Sequence, residues 1–455
     1  MESWTLNQVQ GDAVADRAVS DSPLVQRQLD RLAILSPGTD TLGLDRITKL
    51  LGRLGNPERA LPPVFHVAGT NGKGSTCAFL RAAIEASGRK AHVYTSPHLV
   101  RFNERIRLAG TLIDDDLLAP LLAESLDAAD GIGPSFFEAT TAAAFLAFSR
   151  VPADACIVEV GLGGRLDATN VIPTPAVCGI AQLGLDHQFF LGSRLDGIAA
   201  EKAGIAKSGV PLVTQHYPER IADRVGRTAA AAGATWLPRG GIWDATLYQR
   251  RLHYRDDRGK LDLPLPRLHG SHQVMNAALA VAMLRHQDAL PIPDSALRAA
   301  MGWAEWPARL QQMAAGPLHA LLPRDSELWL DGGHNPAAAR AIADFFRGHV
   351  PAGRPFHIVF GLLDNKDAAG VLKPFRDRAI TLHSVPVPGH AHHSPATLAA
   401  AARDAGLHAV PAADVEGALG WISRHADRAN PPVVLILGSL YLAGEVLRKN
   451  DQAPG

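Results

Sequence analysis

A chain of 455 residues is long enough for two or three domains with sizeable cores. Its 45 basic and 45 acidic side chains cancel, which excludes a global field that would attract nucleic acid or an acidic membrane, so any anion site must be local. The N-terminus has no apolar signal core, and no apolar run reaches the length of a membrane span. The three cysteines, Cys77, Cys156 and Cys178, lack metal spacing and lie in apolar runs. We therefore expect buried thiols and a cytoplasmic protein.

Residues 1–22 show no apolar periodicity, so we predict a disordered leader there. Helical spacing predicts helices over 24–35 and 45–54. A short β-prone run, 64–68, then feeds a loop with glycines at 69, 72 and 74, and a helical pattern begins near Ser75. This junction of strand, loop and helix is the stretch on which the functional prediction depends.

The loop suits a phosphate, because backbone N–H groups at a helix N-terminus and the charge of Lys73 would point at the anion. It departs from the standard phosphate-binding pattern, which would place Gly at position 67 and Ser or Thr at position 74, where this chain has Val67 and Gly74. An ordinary glycine-rich turn is the other interpretation. Gly-Lys-Gly-Ser-Thr is more than such a turn requires, so we predict a P-loop-like site.

Further apolar runs over 90–95, 155–160, 176–183 and 210–214 alternate with helical patterns. This alternation predicts an α/β fold with a doubly wound, mainly parallel sheet. Ser96, Glu159 and His187 each follow or end a strand, and Lys202 ends a helix. Ligands gather at the carboxyl ends of parallel strands, and hydroxyl, carboxylate and imidazole together can hold Mg²⁺ beside phosphates. Taken singly, an Asp-His pair such as Asp186-His187 more often has a structural role than a role in binding. Two adjacent phenylalanines such as Phe136 and Phe137 more often pack in the core than stack on a ligand.

Residues 235–268 predict a small antiparallel excursion, followed by helices over 270–284 and 294–304. We place a linker at 307–317, which divides an N-terminal domain (23–306) from a smaller Rossmann-like α/β domain (318–455). The predicted strands of the second domain are 328–331, 356–360, 380–385 and 433–437. Its predicted helices begin at Ala337, Ala368, Pro395 and Val415. Two such domains suggest a ligand cleft between them.

Seven motifs in order give the chain a specific resemblance over residues 25–450. They are Gly69-Thr70-Asn71-Gly72-Lys73-Gly74-Ser75, Thr95-Ser96-Pro97-His98-Leu99, the run Glu159 to Asn170, Asp186-His187, Glu201-Lys202-Ala203-Gly204-Ile205, Asp331-Gly332-Gly333-His334-Asn335-Pro336 and Gly438-Ser439-Leu440-Tyr441-Leu442. On these motifs the chain resembles the folylpolyglutamate synthase/dihydrofolate synthase enzymes of the Mur ligase superfamily.

The resemblance implies an ATP site made by Thr70, Asn71, Gly72, Lys73, Gly74 and Ser75, with Asn276, Arg309, Asp331 and His334. It implies two Mg²⁺ sites, one held by Ser96 and Glu159 and one by His187 and a carbamylated Lys202. It implies a pterin site near Thr41, Leu42, Gly43, Leu44, Ser135, Phe136, Phe137, Glu138, Leu166, Asp167 and Ala168, with Phe137 as a stacking face. The catalytic set implied by the resemblance is Lys73, His187, Lys202 and Arg309.

The reaction that the resemblance implies is ATP-dependent amide formation with L-glutamate through an acyl phosphate, by a monomer without nucleic-acid or membrane partners. Dihydropteroate, folates or both would be acceptors. Three departures from the family pattern stand out: Ala308 where Gly is usual, Gly333 where Ala is usual, and one inserted residue in Asp364-Asn365-Lys366-Asp367, which leaves the place of Lys366 open. The alternatives are another superfamily ligase acting on a cell-wall precursor, and a nucleotide-dependent switch that hydrolyses ATP without forming a bond.

Overall fold

The computed structural model describes residues 20–35, 42–376, 379 and 381–455. These residues form two compact units, one of residues up to 267 together with 272–306, and the other of 268–271 together with 307–455. The predicted domain limits of 23–306 and 318–455 stay a prediction. Thr41 and the predicted leader up to residue 19 lie outside the described residues.

The first unit is built on an eight-stranded sheet with the order β4-β3-β2-β5-β1-β6-β7-β8. Its strands are β1 (Val64–Ala68), β2 (Ala91–Tyr94), β3 (Ile106–Leu108), β4 (Thr111–Leu112), β5 (Ala155–Glu159), β6 (Val177–Ile180), β7 (Pro211–Thr214) and β8 (Thr235–Pro238). The pairs from β2 to β8 are parallel, and β3 and β4 add an antiparallel edge. β1 lies in the middle with every residue buried, as a near-continuous apolar strand predicts.

Helices cover both faces of this sheet. They are α1 (Pro23–Leu35), α2 (Asp45–Arg53), α3 (Lys73–Ala86), α4 (Asp115–Ala128), α5 (Phe136–Arg150), α6 (Gln188–Leu191), α7 (Leu195–Ala203), α8 (Glu219–Ala231), α9 (Ser271–Arg285) and α10 (Asp294–Trp303). One hydrophobic cluster joins α1, α2, α4 and α5 to β2 and β5. Another joins α7 and α8 to β6 and β7. The doubly wound arrangement is confirmed.

A separate antiparallel sheet follows, with the order β11-β10-β9. Its strands are β9 (Asp244–Tyr248), β10 (Arg251–Asp256) and β11 (Gly259–Pro264). The predicted antiparallel excursion is confirmed except at its start, because residues 235–238 form β8 and pair in parallel with β7.

The second unit has a six-stranded sheet with the order β12-β13-β17-β14-β15-β16. Its strands are β12 (Gln311–Gln312), β13 (Glu327–Asp331), β14 (Phe356–Phe360), β15 (Thr381–Ser384), β16 (Ala409–Pro411) and β17 (Val433–Leu437). Its helices are α11 (Pro336–His349), α12 (Ala368–Leu372), α13 (Pro395–Asp404), α14 (Val415–His425) and α15 (Leu440–Lys449). All the pairs are parallel except β12 with β13.

The three cysteines are buried free thiols, as predicted. Across the described ranges no helix combines the length and apolarity needed to cross a bilayer.

Candidate active site

The glycine loop joins the central strand β1 to α3. The helix begins at Lys73, two residues earlier than predicted, and Gly72 precedes it with a φ of 86°, a left-handed conformation that favours glycine. Gly69 also has a positive φ, of 152°. Ser75 is buried inside the first turn of α3. The loop therefore presents backbone at the N-terminus of a long helix, at the middle of the sheet, where an anion is favoured.

Two side chains of the first unit pack directly on the loop. A Cβ placed on Gly72 would lie 2.3 Å from Oδ1 of Asn276, and one on Gly74 would lie 2.5 Å from the ring of Trp306. The structure thus brings Asn276, which was predicted from the resemblance alone, to the predicted ATP loop. Trp306 was not predicted, because Trp-Pro in the sequence indicates only a break between elements.

Thr70 ties the glycine loop to the segment that follows β6. Its Oγ1 donates to the carbonyl of Gly184 (3.0 Å) and accepts from the N–H of the same residue (3.1 Å). The N–H groups of Thr70 and Asn71 both donate to the carbonyl of Gln182, at 2.8 and 3.1 Å. Gly184 lies three residues before His187, so two predicted ligand loops are hydrogen-bonded to each other.

Lys73, Ser96 and Glu159 meet at the carboxyl ends of β1, β2 and β5. Nζ of Lys73 lies 4.0 Å from Oε1 of Glu159, and the N–H of Ser96 points at Oε2 of the same carboxylate at 3.4 Å. Glu159 is buried, and a buried carboxylate requires positive charge or hydrogen bonds nearby. An oxygen-rich pair at a phosphate loop fits a hard divalent cation.

Lys202 is a buried amine near the end of α7. Burial and the charge of Lys73 lower its pKa to about 7, against the opposing effect of Asp186 and Asp167. Near neutral pH, a large fraction of this amine is therefore unprotonated and nucleophilic, unlike a surface lysine. His187 lies beside Asp186 in a left-handed conformation, with a φ of 51°, and its N–H donates to Oδ1 of that aspartate at 2.9 Å.

The glycine-rich loop after β5 packs on the helix that carries Lys202. A Cβ on Gly164 would lie 2.6 Å from the carbonyl oxygen of Glu201 and 3.0 Å from Cα of Lys202. The N–H of Arg165 donates to the carbonyl of Glu201 at 2.8 Å. Only glycine permits this approach at position 164.

Asp167 holds the second half of that loop in place. Its carboxylate accepts the N–H of Leu162 at 2.8 Å, and the N–H and Oγ1 of Thr169 at 3.0 and 2.5 Å. Burial raises its pKa, and these hydrogen bonds oppose the rise. A carboxylate has about four lone-pair sites, and the N–H of Gly161 also donates to Asp167, so these donors fill the carboxylate and fix the loop around it.

His66 on β1 extends this network, although nothing in the sequence predicted it. Its Nε2 lies 2.8 Å from Oγ1 of Thr169. Burial lowers the pKa of His66 to about 3, so the ring is neutral. Because Oγ1 of Thr169 donates to Asp167, Nε2 must carry the proton and donate to Oγ1.

The predicted pterin stretches around residues 42–44 and 135–138 are joined by one ion pair. Nε of Arg46 donates to Oε2 of Glu138 at 2.8 Å. Ser135 and Glu138 also form a reciprocal capping box at the start of α5, with hydrogen bonds of 2.7 and 3.2 Å. Ser135 and Glu138 therefore cap the N-terminus of α5, and they also belong to the predicted pterin site.

Phe136 and Phe137 are half-buried. A Cβ on Gly161 would lie 2.5 Å from Cζ of Phe137, so this ring covers the start of the glycine-rich loop. The guanidinium of Arg105 lies 5.4 Å from the ring centroid of Phe136. Leu44, both phenylalanines and Ala168 belong to or pack against one hydrophobic cluster. Members of all three predicted pterin stretches therefore share one hydrophobic cluster. Among the residues that the structure describes, Leu42, Gly43 and Leu166 are not part of this cluster.

In the second unit, Asp331 ends β13 and organises the loop that carries Arg309. Its carboxylate accepts the N–H of Leu310 and the N–H of Gly333, each at 2.7 Å. Burial raises its pKa, and Arg309 opposes that rise. Ala308, with a φ of 56°, and Leu310, with a φ of 42°, flank Arg309 in a conformation that favours glycine. The usual glycine at position 308 is explained by this backbone.

The departure at position 333 is also accounted for locally. A Cβ on Gly333 would lie 2.7 Å from Cδ1 of Ile342, so the larger neighbour occupies the space that alanine would need. Nδ1 of His334 lies 2.9 Å from the carbonyl of Gly332 and donates to it. Lys366 lies just before α12, whose N-cap is Asp367.

Comparison with known proteins gives this geometry a context. Residues 322–440 match the family model described as Mur ligase, glutamate ligase domain. The dihydrofolate synthase/folylpolyglutamate synthase of Escherichia coli (strain K12) is 33% identical over 434 residues, which cover 94% of this chain and 96% of that relative.

Two solved structures cover nearly the whole chain. An E. coli FolC structure in complex with DHPP and ADP has a TM-score of 0.84 at 32% identity, over 95% of this chain and 98% of that one. A bifunctional folylpolyglutamate synthase/dihydrofolate synthase with Mn, AMPPNP and L-glutamate bound has a TM-score of 0.81 at 33% identity, over 94% and 98%. On this identity, coverage and common fold, the chain belongs to the dihydrofolate synthase/folylpolyglutamate synthase family.

Proposed function

We propose that this chain adds L-glutamate to two acceptors, 7,8-dihydropteroate and the γ-carboxylate of folates. As a member of its family it is an ATP-dependent ligase of glutamate that works with a divalent metal. The observation that supports a pterin acceptor is the hydrophobic cluster that Leu44, Phe136, Phe137 and Ala168 share, next to the loop that the buried Asp167 fixes.

The proposed reaction has two steps. A carboxylate oxygen of the acceptor attacks the γ-phosphorus of ATP, the bond to ADP breaks, and an acyl phosphate forms. The amine of glutamate then attacks the acyl carbon, phosphate leaves with the bonding pair, and the amine loses a proton. A carboxylate alone would have to expel oxide, so phosphorylation provides the leaving group.

The chain contributes position and charge in the proposed reaction. The backbone of 70–75 and the ammonium of Lys73 bind phosphate oxygens, and Arg309 neutralises further negative charge. Ser96 and Glu159 would hold one Mg²⁺, and His187 with a carbamylated Lys202 would hold a second. The metal ions, when bound, neutralise phosphate charge. The lowered pKa of Lys202 supports carbamylation, because only the neutral amine attacks CO₂.

The proposed function is tested by ATP-dependent ligation with L-glutamate and either 7,8-dihydropteroate or tetrahydrofolate, with the products weighed by mass spectrometry. A gain of one glutamate on both acceptors is expected. Gain on one acceptor alone would reduce the proposal to a single activity. Phosphate release that does not depend on glutamate would support the non-ligating ATPase, and activity on a cell-wall precursor alone would support the other superfamily ligase.

A Lys73→Gln variant provides the matched control, because it keeps a long polar side chain at the start of α3 and removes only the charge. It should bind the pterin acceptor but lose ligation. A monomeric state, a cytoplasmic location and the absence of nucleic-acid partners remain predictions, which sizing of the purified protein and localisation in cells would test.

A further inference from the structure

A pocket of about 560 Å³ opens beside the candidate active site in the first unit. It is lined by Leu191, Gly192, Ser193, Arg194, Asp196, Gly197 and Arg224. This volume falls within the range of about 300–1,000 Å³ that is typical of small-molecule sites. None of the predicted site residues lines it, so neither the phosphate nor the pterin assignment uses it.

The pocket carries an excess of positive charge. Arg194 and Arg220 both pair with one carboxylate oxygen of Asp196, at 2.9 and 3.2 Å. Arg224 lies one turn beyond Arg220 on α8, and its guanidinium has no hydrogen bond or ion pair within the described ranges. Arg194 and Arg224 thus line the pocket with Asp196, and Arg220 pairs with that aspartate, so three positive charges stand against one negative charge in this part of a chain whose total charge is zero. A pocket of this kind favours a ligand with more than one negative charge.

The pocket borders both halves of the candidate site. Cδ2 of Leu191 lies 3.2 Å from the position that a Cβ on Gly163 would occupy, and Gly163 belongs to the glycine-rich loop that leads to Asp167. The N–H of Leu191 donates to the carbonyl of His187 at 3.0 Å. Leu191 therefore connects the pocket to the loop that leads to Asp167 and to the segment of His187, between which the proposed acceptor would extend.

We propose that this arginine pocket binds the α-carboxylates of glutamates already present on a long-tailed folate acceptor. The proposal rests on the proposed function. Each γ-linked glutamate leaves one free α-carboxylate, so a tail of several glutamates is a polyanion. Because only the last glutamate of the tail reacts, the inner glutamates must loop out of the direct line between the pterin and the reaction centre. Arg224, with Arg194 and Arg220, neutralises the α-carboxylates of these inner glutamates. Through this attraction, the pocket determines the enzyme's preference for acceptors with long glutamate tails.

The test compares the same tetrahydrofolate with one and with four glutamates as acceptors for the full chain and its Arg224→Glu variant. Reversing one charge turns an attraction into a repulsion, so we expect the KM for the four-glutamate acceptor to rise about fivefold to tenfold. The KM for the one-glutamate acceptor, the KM for ATP and the kcat should change less than about twofold. An Arg224→Gln variant should show an intermediate rise.

Arg227→Glu is the matched control, because it makes the same charge change on the same helix three residues away and does not line the pocket. In the Arg227→Glu variant, the ratio of the KM for the four-glutamate acceptor to the KM for the one-glutamate acceptor should be the same as in the unchanged chain. The proposal is overturned if Arg224→Glu shifts both acceptors equally, shifts neither, or behaves as Arg227→Glu does. If the unchanged chain ligates glutamate to neither acceptor, the proposed function itself has failed, which is a different result.

Discussion

Arg46 and Glu138 lie 92 positions apart in the chain, and one hydrogen bond of 2.8 Å joins them. Glu138 is buried and also accepts the N–H of Ser135, so the carboxylate fixes α2 against the start of α5. Arg46→Ala leaves a buried carboxylate with its helix cap but without its cation. We expect a loss of roughly 1–3 kcal/mol in the free energy of unfolding and a raised KM for dihydropteroate.

This prediction is checked by denaturant unfolding and by initial rates, with Glu138→Gln as the partner variant. Glutamine keeps the capping geometry and removes the charge, so the double variant should cost less than the sum of the single losses. Additive losses would mean that the ion pair is not what joins the two helices.

Lys202 should react with CO₂ as a neutral amine. With its pKa lowered to about 7, the unprotonated fraction rises as the pH increases from 6 to 8. At fixed CO₂ partial pressure, labelled bicarbonate should give a carbamate carbon signal that grows over this range. Lys202→Arg, which stays protonated, should lack the signal and most of the ligase activity. The absence of a signal in the unchanged protein would contradict the carbamylated state.

Arg309→Ala should lower turnover by orders of magnitude and leave pterin binding nearly intact, because the side chain is proposed to neutralise charge on the reacting phosphate. Arg309→Lys keeps the charge but loses the planar fork, so it should recover only part of the rate. Unchanged turnover in the alanine variant would remove Arg309 from the catalytic set.

Gly333→Ala, which restores the residue usual in the family, should destabilise this particular chain by roughly 1–3 kcal/mol, because a packed core accommodates overlap poorly. The new Cβ would lie 2.7 Å from Cδ1 of Ile342. Ile342→Val removes that carbon, so the double variant should regain most of the loss. Thermal unfolding of the four proteins measures the coupling, and no recovery would assign the loss to the carboxylate of Asp331 instead.

His357 and His383, on neighbouring strands of the second unit, should make the protein sensitive to acid. Both are buried, and burial lowers the pKa of each to about 4. Between pH 6.5 and 4 the unfolded chain binds protons that the folded chain does not, so stability falls as the pH decreases through this window. Replacing His383 by Phe should flatten the fall, as urea unfolding at about pH 7 and about pH 5 would show.

The long elements could be predicted because their residues carry the signal themselves. The runs at 64–68, 356–360 and 433–437 are continuous buried strands, and the structure has them at the predicted bounds. The short strands β3, β4, β12 and β16, at or next to a sheet edge, were not predicted. They are two or three residues long, and their conformation depends on the neighbouring strand rather than on a pattern of their own.

Some contacts of the candidate site could likewise be predicted from the sequence, and others could not. The position of Lys73, Ser96 and Glu159 at strand ends predicted that they lie together, because carboxyl ends of parallel strands meet at one edge. The contact of His66 with Thr169 spans 103 positions and leaves no mark in either local sequence. The approach of Asn276 to Gly72 was accessible only through the resemblance, since an asparagine in an alanine-rich helix is otherwise unremarkable.

The double hydrogen bond of Thr70 to Gly184 has a consequence for how variants of this protein are interpreted. A Thr70→Val substitution would remove one hydroxyl, yet it would take a hydrogen bond from both the glycine loop and the turn before His187, while the backbone bonds to the carbonyl of Gln182 would still join the two segments. With the glycine loop as the proposed nucleotide site and His187 as a proposed metal ligand, the variant would combine weaker nucleotide binding with weaker metal binding, and kinetics alone would not separate the two. Because the two segments share these bonds, a substitution that disturbs either one is expected to affect the other, so variants in the glycine loop and variants near His187 are best compared as one set.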